Sequence, residues 1–302
     1  MVQITNLTKT FDTFTALNQL NLNIKKGSIY GLVGINGAGK TTAIKHLAGL
    51  YQPDQGTVTI DSQPVYDNQH IKARVGFIPD DLYFFPNYNL KSLHRFYKTM
   101  YAPSWNQERY EYLLNMFKLD PKRKVGKFSK GMQKQSAFIF QMSIMPDFLL
   151  LDEPIDGLDP IVRRLIMQEV INDVADRDMT VLVSSHNLKE MDGICDAIGI
   201  IKNGRMVIER DLDDLKSDVH KVQLAFAEDI PTHSLGLDVL HEEARGSIKM
   251  LVVRGTEGDI TGKIKAHNPL IFDRLPLTLE EIFVYETEGA TDEFPDYNHI
   301  PY

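Results

Sequence analysis

Eight consecutive residues, Gly34-Ile35-Asn36-Gly37-Ala38-Gly39-Lys40-Thr41, carry the most specific chemistry in this chain of 302 residues. They fit the pattern G-x-x-x-x-G-K-[ST]. Glycines at these places let the backbone curl so that the N–H groups of Asn36, Gly37, Ala38, Gly39, Lys40, Thr41 and Thr42 converge on phosphate oxygens. Lys40 adds a point charge for the terminal phosphates, and the Thr41 hydroxyl can ligate Mg²⁺. A second run, Phe148-Leu149-Leu150-Leu151-Asp152-Glu153-Pro154, sets two acids after four apolar residues. An acid at the end of a buried strand is expensive unless it meets a cation, so Asp152 suits Mg²⁺. Glu153 points elsewhere and suits taking a proton from an attacking water. Alone, this run also reads as a strand entering a solvated acidic turn. The phosphate loop upstream favours the chemical reading.

Such residues need a parallel sheet to hold them. The loop follows the apolar strand Ile29–Val33 and opens a helix predicted from Thr42 to Leu50. Strands are predicted over 2–7 and 20–30, over Thr57–Ile60 after a turn, and over Val75–Ile78 behind a short helix. From Pro86 to Pro146 the texture becomes helical, aromatic and basic, which predicts a helical subdomain, about 86–147, inserted into an α/β core. Phe148–Leu151 and Thr180–Val183 are short, continuously apolar runs, the pattern of parallel strands buried on both faces. Ala197–Ile201 and Met206–Glu209 flank Asn203-Gly204, a two-residue hairpin signal. Weaker strand patterns follow over His220–Phe226, Ile248–Val253 and 269–277, and Thr278-Leu279-Glu280-Glu281 fits a helix capping box. The expected organisation is a main domain over 1–215, a small C-terminal domain over 216–285 and an acidic tail over 286–302.

Composition narrows the function classes. Asp and Glu number 41 against 33 Lys and Arg, a formal net charge of −8. Five of the acids (Glu286, Glu288, Asp292, Glu293, Asp296) lie in the last seventeen residues, which hold no Lys or Arg. The rest of the chain is near neutral, which argues against gripping nucleic acid by bulk charge. The single cysteine, Cys195, excludes an internal disulfide and a multi-Cys metal site, and its apolar surroundings suit a packed side chain. Trp105 is read as packing. The first residues alternate polar and apolar without a signal core, and no stretch approaches the ~20 apolar residues of a membrane span. The expectation is a cytoplasmic chain whose membrane role, if any, comes through another chain.

As a set, the motifs of residues 1–215 resemble those of the nucleotide-binding subunits of ATP-binding-cassette (ABC) transporters. Phe11 is similar to the A-loop aromatic that stacks on adenine. Asp80, after Gly76-Phe77-Ile78-Pro79, sits where the family places its Q-loop glutamine. Phe128-Ser129-Lys130-Gly131-Met132 resembles the LSGGQ signature, Ile155-Asp156-Gly157-Leu158-Asp159-Pro160 the D-loop, and Ser185-His186 the switch histidine. The resemblance implies an α/β P-loop NTPase core with an antiparallel β subdomain, an inserted helical subdomain and a small C-terminal α/β domain. It implies ATP with Mg²⁺, Thr41, Asp80 and Asp152 toward the metal, Glu153 as base, and Lys40 and His186 on the γ-phosphate. It also implies a head-to-tail dimer, with itself or a paralogue, in which Ser129 and Gly131 of one subunit close on the nucleotide of the other, with Asp159 nearby. A separate transmembrane permease would hold the pair at the cytoplasmic face of the membrane.

Two departures stand out: Asp80 replaces a glutamine and Lys130 a glycine. The resemblance places both near one phosphate, which suggests that Lys130 offsets Asp80 across the dimer. The ending Leu277–Phe283 is similar to ATPases of ABC-2-type exporters. Asp80, the aromatic stretch after it and the Lys-bearing signature resemble the Gram-positive group that exports antibiotics and peptide toxins, phenol-soluble modulins among them. A soluble ABC-family ATPase without a permease, the energising subunit of an importer and a P-loop kinase are the competing readings. The signature and D-loop argue against the kinase.

Overall fold

Short, wholly buried apolar runs pair side by side at the centre of this chain's computed structural model, which describes residues 1–227 and 230–288. The chain divides into two units, Met1–Glu209 and Arg210–Tyr302. In the first, a six-stranded sheet runs in the order Arg205–Asp211, Ala197–Lys202, Ile29–Val33, Thr180–Ser185, Phe148–Leu151, Val75–Ile78. The last five strands are parallel, and every residue of Ile29–Val33, Phe148–Leu151 and Thr180–Ser185 is buried. Both faces of these strands are covered, so β-branched and leucine side chains replace the usual alternation. Asn203 and Gly204 carry the hairpin with φ of 49° and 74°. These positive angles match the twist of the two strands they join.

A second sheet is antiparallel, in the order Phe14–Ile24, Val2–Phe11, Gln55–Ile60, Gln63–Pro64. The segment predicted as one strand over 20–30 is two. A turn at Lys26-Gly27 (Gly27 φ 68°) takes the chain from this sheet into Ile29–Val33 of the other. One core cluster joins them: Leu7, Leu20 and Ile24 from the antiparallel sheet, Leu32, Phe148 and Leu150 from the parallel one, and Ile44 and Leu47 from the helix Lys40–Leu47. The phosphate-loop helix is therefore fixed by apolar burial on its inner face, independently of any ligand.

The inserted region forms the helices Leu90–Met100, Gln107–Phe117 and Lys130–Ser143 with a 3₁₀ turn at Val125–Lys127. Its aromatics make its core: Tyr97 and Tyr110 stack on Phe140, and His94 lies 4.4 Å from Tyr110. Trp105 sits in the same cluster and donates its Nε1–H to Gln107. Arg109 fastens these helices to the core helix Pro160–Arg177, reaching Glu169 at 2.7 Å and Asp173 at 2.9 Å. The Tyr112 hydroxyl donates to Glu169 beside it, and Arg177 also pairs with Asp173.

The second unit holds a fully antiparallel sheet in the order Asp238–Arg245, Ile248–Arg254, Val219–Ala225, Ile271–Leu275. Val222, Leu224, Leu251 and Val253 pack with Ile260 and Ile264 of the helix Glu257–Lys265. The helix Leu212–Asp218 belongs to this unit, so the division falls a few residues before the expected 215. The capping box forms as read: Thr278 Oγ1 accepts from Glu281 N–H, and Glu281 Oε2 accepts from Thr278 N–H at 2.9 Å. The helix it starts runs to Glu288, into the region read as tail, and residues 289–302 of that tail lie outside the described residues. Among the described residues no helix is long and apolar enough to cross a membrane.

Arg109 is the cation paired with buried Glu169 and shares Asp173 with Arg177, so its removal leaves the Glu169 carboxylate without a counter-charge. Arg109→Ala is expected to cost about 3 kcal/mol in urea unfolding of the chain, with the loss falling on the transition of the first unit.

Candidate active site

All the chemistry-bearing loops leave the parallel sheet on one edge. Val33 is in register with Ser185, Leu151 with Val183, and Ile78 with Leu151. The segments that follow these strands, with Gly34–Thr41, His186, Asp152–Glu153 and Asp80, therefore emerge side by side at the carboxyl ends, where open α/β sheets bind ligands.

The loop after Val33 is built to receive an anion. Gly39 stands at φ 111° before the helix Lys40–Leu47, and a Cβ there would come within 2.8 Å of the Ala16 carbonyl. No side chain caps that helix and no acid lies in its first turn. Its first N–H groups and the positive end of its dipole are left for a ligand. Gly37, at φ 83°, has nothing within 4 Å of where a Cβ would be, so the loop is open to its surroundings there. Asn36 and Thr41 are exposed, Ala38 is buried with its N–H on the Ile35 carbonyl, and the Thr42 carbonyl lies 2.8 Å from His46 Nδ1. Lys40 is only 5% exposed; its ammonium donates to the Gly34 carbonyl at 2.6 Å and lies 3.0 Å from Glu153 Oε1.

The acids after Leu151 are held with opposite environments. Asp152 is 1% exposed, and its Oδ1 accepts from the Ser184 hydroxyl at 2.7 Å. The same hydroxyl oxygen accepts from Glu153 N–H at 3.0 Å. Glu153 has φ 47°, the left-handed region that costs a non-glycine residue roughly 1–3 kcal/mol. Its carbonyl accepts from Lys134 Nζ at 2.7 Å. Its carboxylate lies between Lys40 and His186 Nδ1, each at 3.0 Å. Burial raises the Glu153 pKa, but the hydrogen bond and charge of Lys40, followed by those of His186, outweigh it and hold the group below its ordinary value. Asp156 stands 4.0 Å from His186 on the open side. An anion cradle thus lies against a carboxylate kept in its basic form, with a half-exposed imidazole beside it.

Comparison with known proteins agrees with this geometry. The family model described as ABC transporter matches residues 17–156. The lantibiotic transport ATP-binding protein SrtF of Streptococcus pyogenes is 33% identical over 70% of this chain and 92% of its own length. This chain belongs to the ABC transporter ATP-binding proteins. The bacitracin transport ATP-binding protein BcrA of Bacillus licheniformis is 29% identical over 96% of this chain and 98% of its own. A dimeric ATP-binding cassette in a post-hydrolysis state with ADP and Pi superimposes with a TM-score of 0.63 at 26% identity, over 70% of this chain and 99% of that one. The cassette fold and ATP hydrolysis follow for this chain as well.

The other cassette motifs lie as follows. Ser129 caps the helix Lys130–Ser143, its hydroxyl oxygen accepting from Met132 N–H at 3.2 Å, and both Ser129 and Lys130 are exposed. Gly131 lies close to the Gly157 carbonyl, where a Cβ would approach to 3.1 Å. Asp159 caps the helix Pro160–Arg177 through the N–H groups of Ile161 and Val162, so one of its oxygens already has a local duty. Phe11 is exposed at a strand end and meets Tyr51 edge-on at 5.5 Å. Within the chain Asp80 pairs with Lys134, whose Nζ lies 3.2 Å away, and Lys130, expected to offset Asp80 across the dimer, is exposed in the first turn of its helix.

Sequence reasoning passed over Lys134, Ser184 and Tyr51. Two signals were available: a serine pair ending an otherwise apolar strand, and a lysine on the helix face that the hydrophobic pattern buries.

The Glu153 contacts carry a pH signature. Its carboxylate is favoured by the fold, so that contribution is present above the ordinary carboxylate value of 4.5 and is lost as pH falls through the lower native value. Without nucleotide, the acid side of the stability–pH curve is expected to be flatter in Glu153→Gln than in the wild type, as followed by urea unfolding.

Proposed function

We propose that this cassette is the ATP-hydrolysing subunit of an ABC-2-type exporter that moves a peptide, toxin or antibiotic-like substrate out of the cell. The observation that carries the catalytic part is Glu153, ionised and aimed between Lys40 and His186 at the mouth of the open glycine loop. The exporter part is supported by relatives named for bacitracin and lantibiotic transport that match across most of their length.

On this reading the N–H groups of Asn36, Gly37 and Gly39 to Thr42 hold the ATP phosphates, the Ala38 N–H being already donated to the Ile35 carbonyl, and the Lys40 ammonium moves from Glu153 onto the β/γ oxygens. The residues fit Mg²⁺: Thr41 offers a hydroxyl, Asp152 a buried carboxylate whose Oδ1 alone is occupied by Ser184, and Asp80 an acid at the rim. When bound, Mg²⁺ supplies charge neutralisation at the phosphates. Glu153 takes a proton from the attacking water as its oxygen bonds to the γ-phosphorus. The bond to the β–γ bridging oxygen breaks, and ADP and phosphate leave. His186 orients the water and the γ-phosphate. Phe11 stacks on adenine beside Tyr51. Ser129 and Gly131, at the N-terminus of the helix that Ser129 caps, close on the nucleotide of a second subunit in a head-to-tail dimer, with Asp159 at that seam.

A permease partner is supported by the loop after Asp80. Tyr83 is 80% exposed and Phe85 46% exposed, although Phe85 also packs on Tyr88 and Phe96. Exposed rings grouped on one loop suit a protein partner, and a permease would hold the chain at the cytoplasmic face of the membrane.

Glu153→Gln is expected to keep ATP binding and lose about 10²–10⁴-fold in phosphate release, the range of a lost general base. A wild-type rate would remove Glu153 from that role. Tyr83→Ser with Phe84→Ser is expected to leave the isolated cassette folded and hydrolysing while ending permease-dependent stimulation in reconstituted vesicles. Unfolding of the isolated chain would instead assign those rings to subdomain packing.

A further inference from the structure

Lys134 is the one charged residue that the helix Lys130–Ser143 buries, at 7% exposure among Gln135, Ser136, Ala137 and Phe138. A lysine so placed is costly unless its three donors are used. Two contacts are short: the Glu153 carbonyl oxygen at 2.7 Å and Asp80 Oδ1 at 3.2 Å. Three separate elements thus meet on one ammonium: the helix that starts at Ser129, the segment after Val75–Ile78, and the peptide of Glu153.

The Glu153 peptide needs such a hold. Its φ of 47° is strained for a residue with a Cβ, and strained backbone persists only where its surroundings over-determine it. Ser184 fixes the N–H side and Lys134 the carbonyl side. The side chain reaches the space between Lys40 and His186 only while the backbone keeps this conformation. Among the described residues, the contacts of Lys134 go to Asp80 and Glu153 and none to the loop Gly34–Thr42.

We propose that Lys134 is a positioning residue for hydrolysis: it clamps the Glu153 carbonyl, anchored in turn by Asp80, and so aims the carboxylate at the water. The proposal rests on Glu153 being the base. It separates catalysis from nucleotide binding, because the clamp acts on the base and leaves the phosphate loop untouched. A lysine that merely stapled the helix to the core would affect folding and every rate alike.

The test uses the full chain, with phosphate release measured over a range of ATP concentrations for wild type, Lys134→Met, Glu153→Gln and the double variant. Lys134→Met is expected to lower kcat about tenfold or more while KM for ATP stays within about twofold, the pattern of a misaimed group rather than lost binding. In the Glu153→Gln background, where no base remains to aim, Lys134→Met is expected to change the residual rate by less than about twofold. An unchanged kcat in Lys134→Met, or the same proportional loss in both backgrounds, would overturn the proposal. If Lys134→Met does not fold, Lys134→Gln is read by the same criteria, since the shorter amide also cannot span both partners. A wild-type rate in Glu153→Gln alone would remove the base assignment and the proposal with it, and it is visible before any Lys134 variant is compared.

Discussion

The buried ammonium of Lys40 is the interaction on which the site depends. It sits between carbonyl oxygens of its own loop and the carboxylate of Glu153, almost out of solvent. A charge in that position is tolerated because it is paired, and removing either partner would leave an uncompensated buried ion. The same pairing holds the Glu153 carboxyl ionised. One contact therefore pairs the buried ammonium and favours the ionised form of Glu153 in the free protein. In the proposed mechanism, phosphate oxygens compete more strongly for the ammonium than one carboxylate does, so binding would transfer Lys40 and free Glu153 for water.

Around that contact the fold spends its order on backbone placement. Parallel strands in fixed register bring four loops to one edge, and the core cluster beneath Lys40–Leu47 holds the loop rigid from below. Within the site, left-handed backbone falls on Gly37 and Gly39 of the phosphate loop and on Glu153. Ser184 serves both acids with one hydroxyl, donating to Asp152 and accepting from Glu153. Arg109, on the helix Gln107–Phe117, fastens the helical insertion to the core through Glu169 and Asp173, and Lys134 ties the helix that starts at Ser129 to the Glu153 carbonyl.

Much of this was legible in the residues. Unbroken apolar runs such as Phe148–Leu151 and Thr180–Val183 mark parallel strands because nothing on either face tolerates a polar side chain. Asn203-Gly204 marks the hairpin because both positions need positive φ, and Thr278 with Glu281 marks a helix start because each satisfies the other's free N–H. The strand Asp238–Arg245 was not read, since its half-exposed HEEAR stretch alternates too weakly to show a buried face. The break inside 20–30 was missed because both halves are strand-like and only Gly27 betrays the turn. Lys134 escaped for a different reason. Its partners are a carboxylate 54 residues away and a main-chain oxygen 19 residues away. Neither a pairing to backbone nor one across that separation leaves a periodic trace; the helical pattern marks Lys134 as buried without saying what it meets.

The transfer of Lys40 from Glu153 to phosphate is open to direct measurement by calorimetric titration of ADP with Mg²⁺ into wild type and Glu153→Gln. ADP avoids turnover and still presents the β-phosphate that Lys40 meets. If Glu153 competes for the ammonium in the free protein, removing its charge leaves Lys40 less committed, and the variant should bind ADP several-fold more tightly than the wild type. Weaker binding by Glu153→Gln would mean that the carboxylate assists nucleotide capture, and would contradict the account.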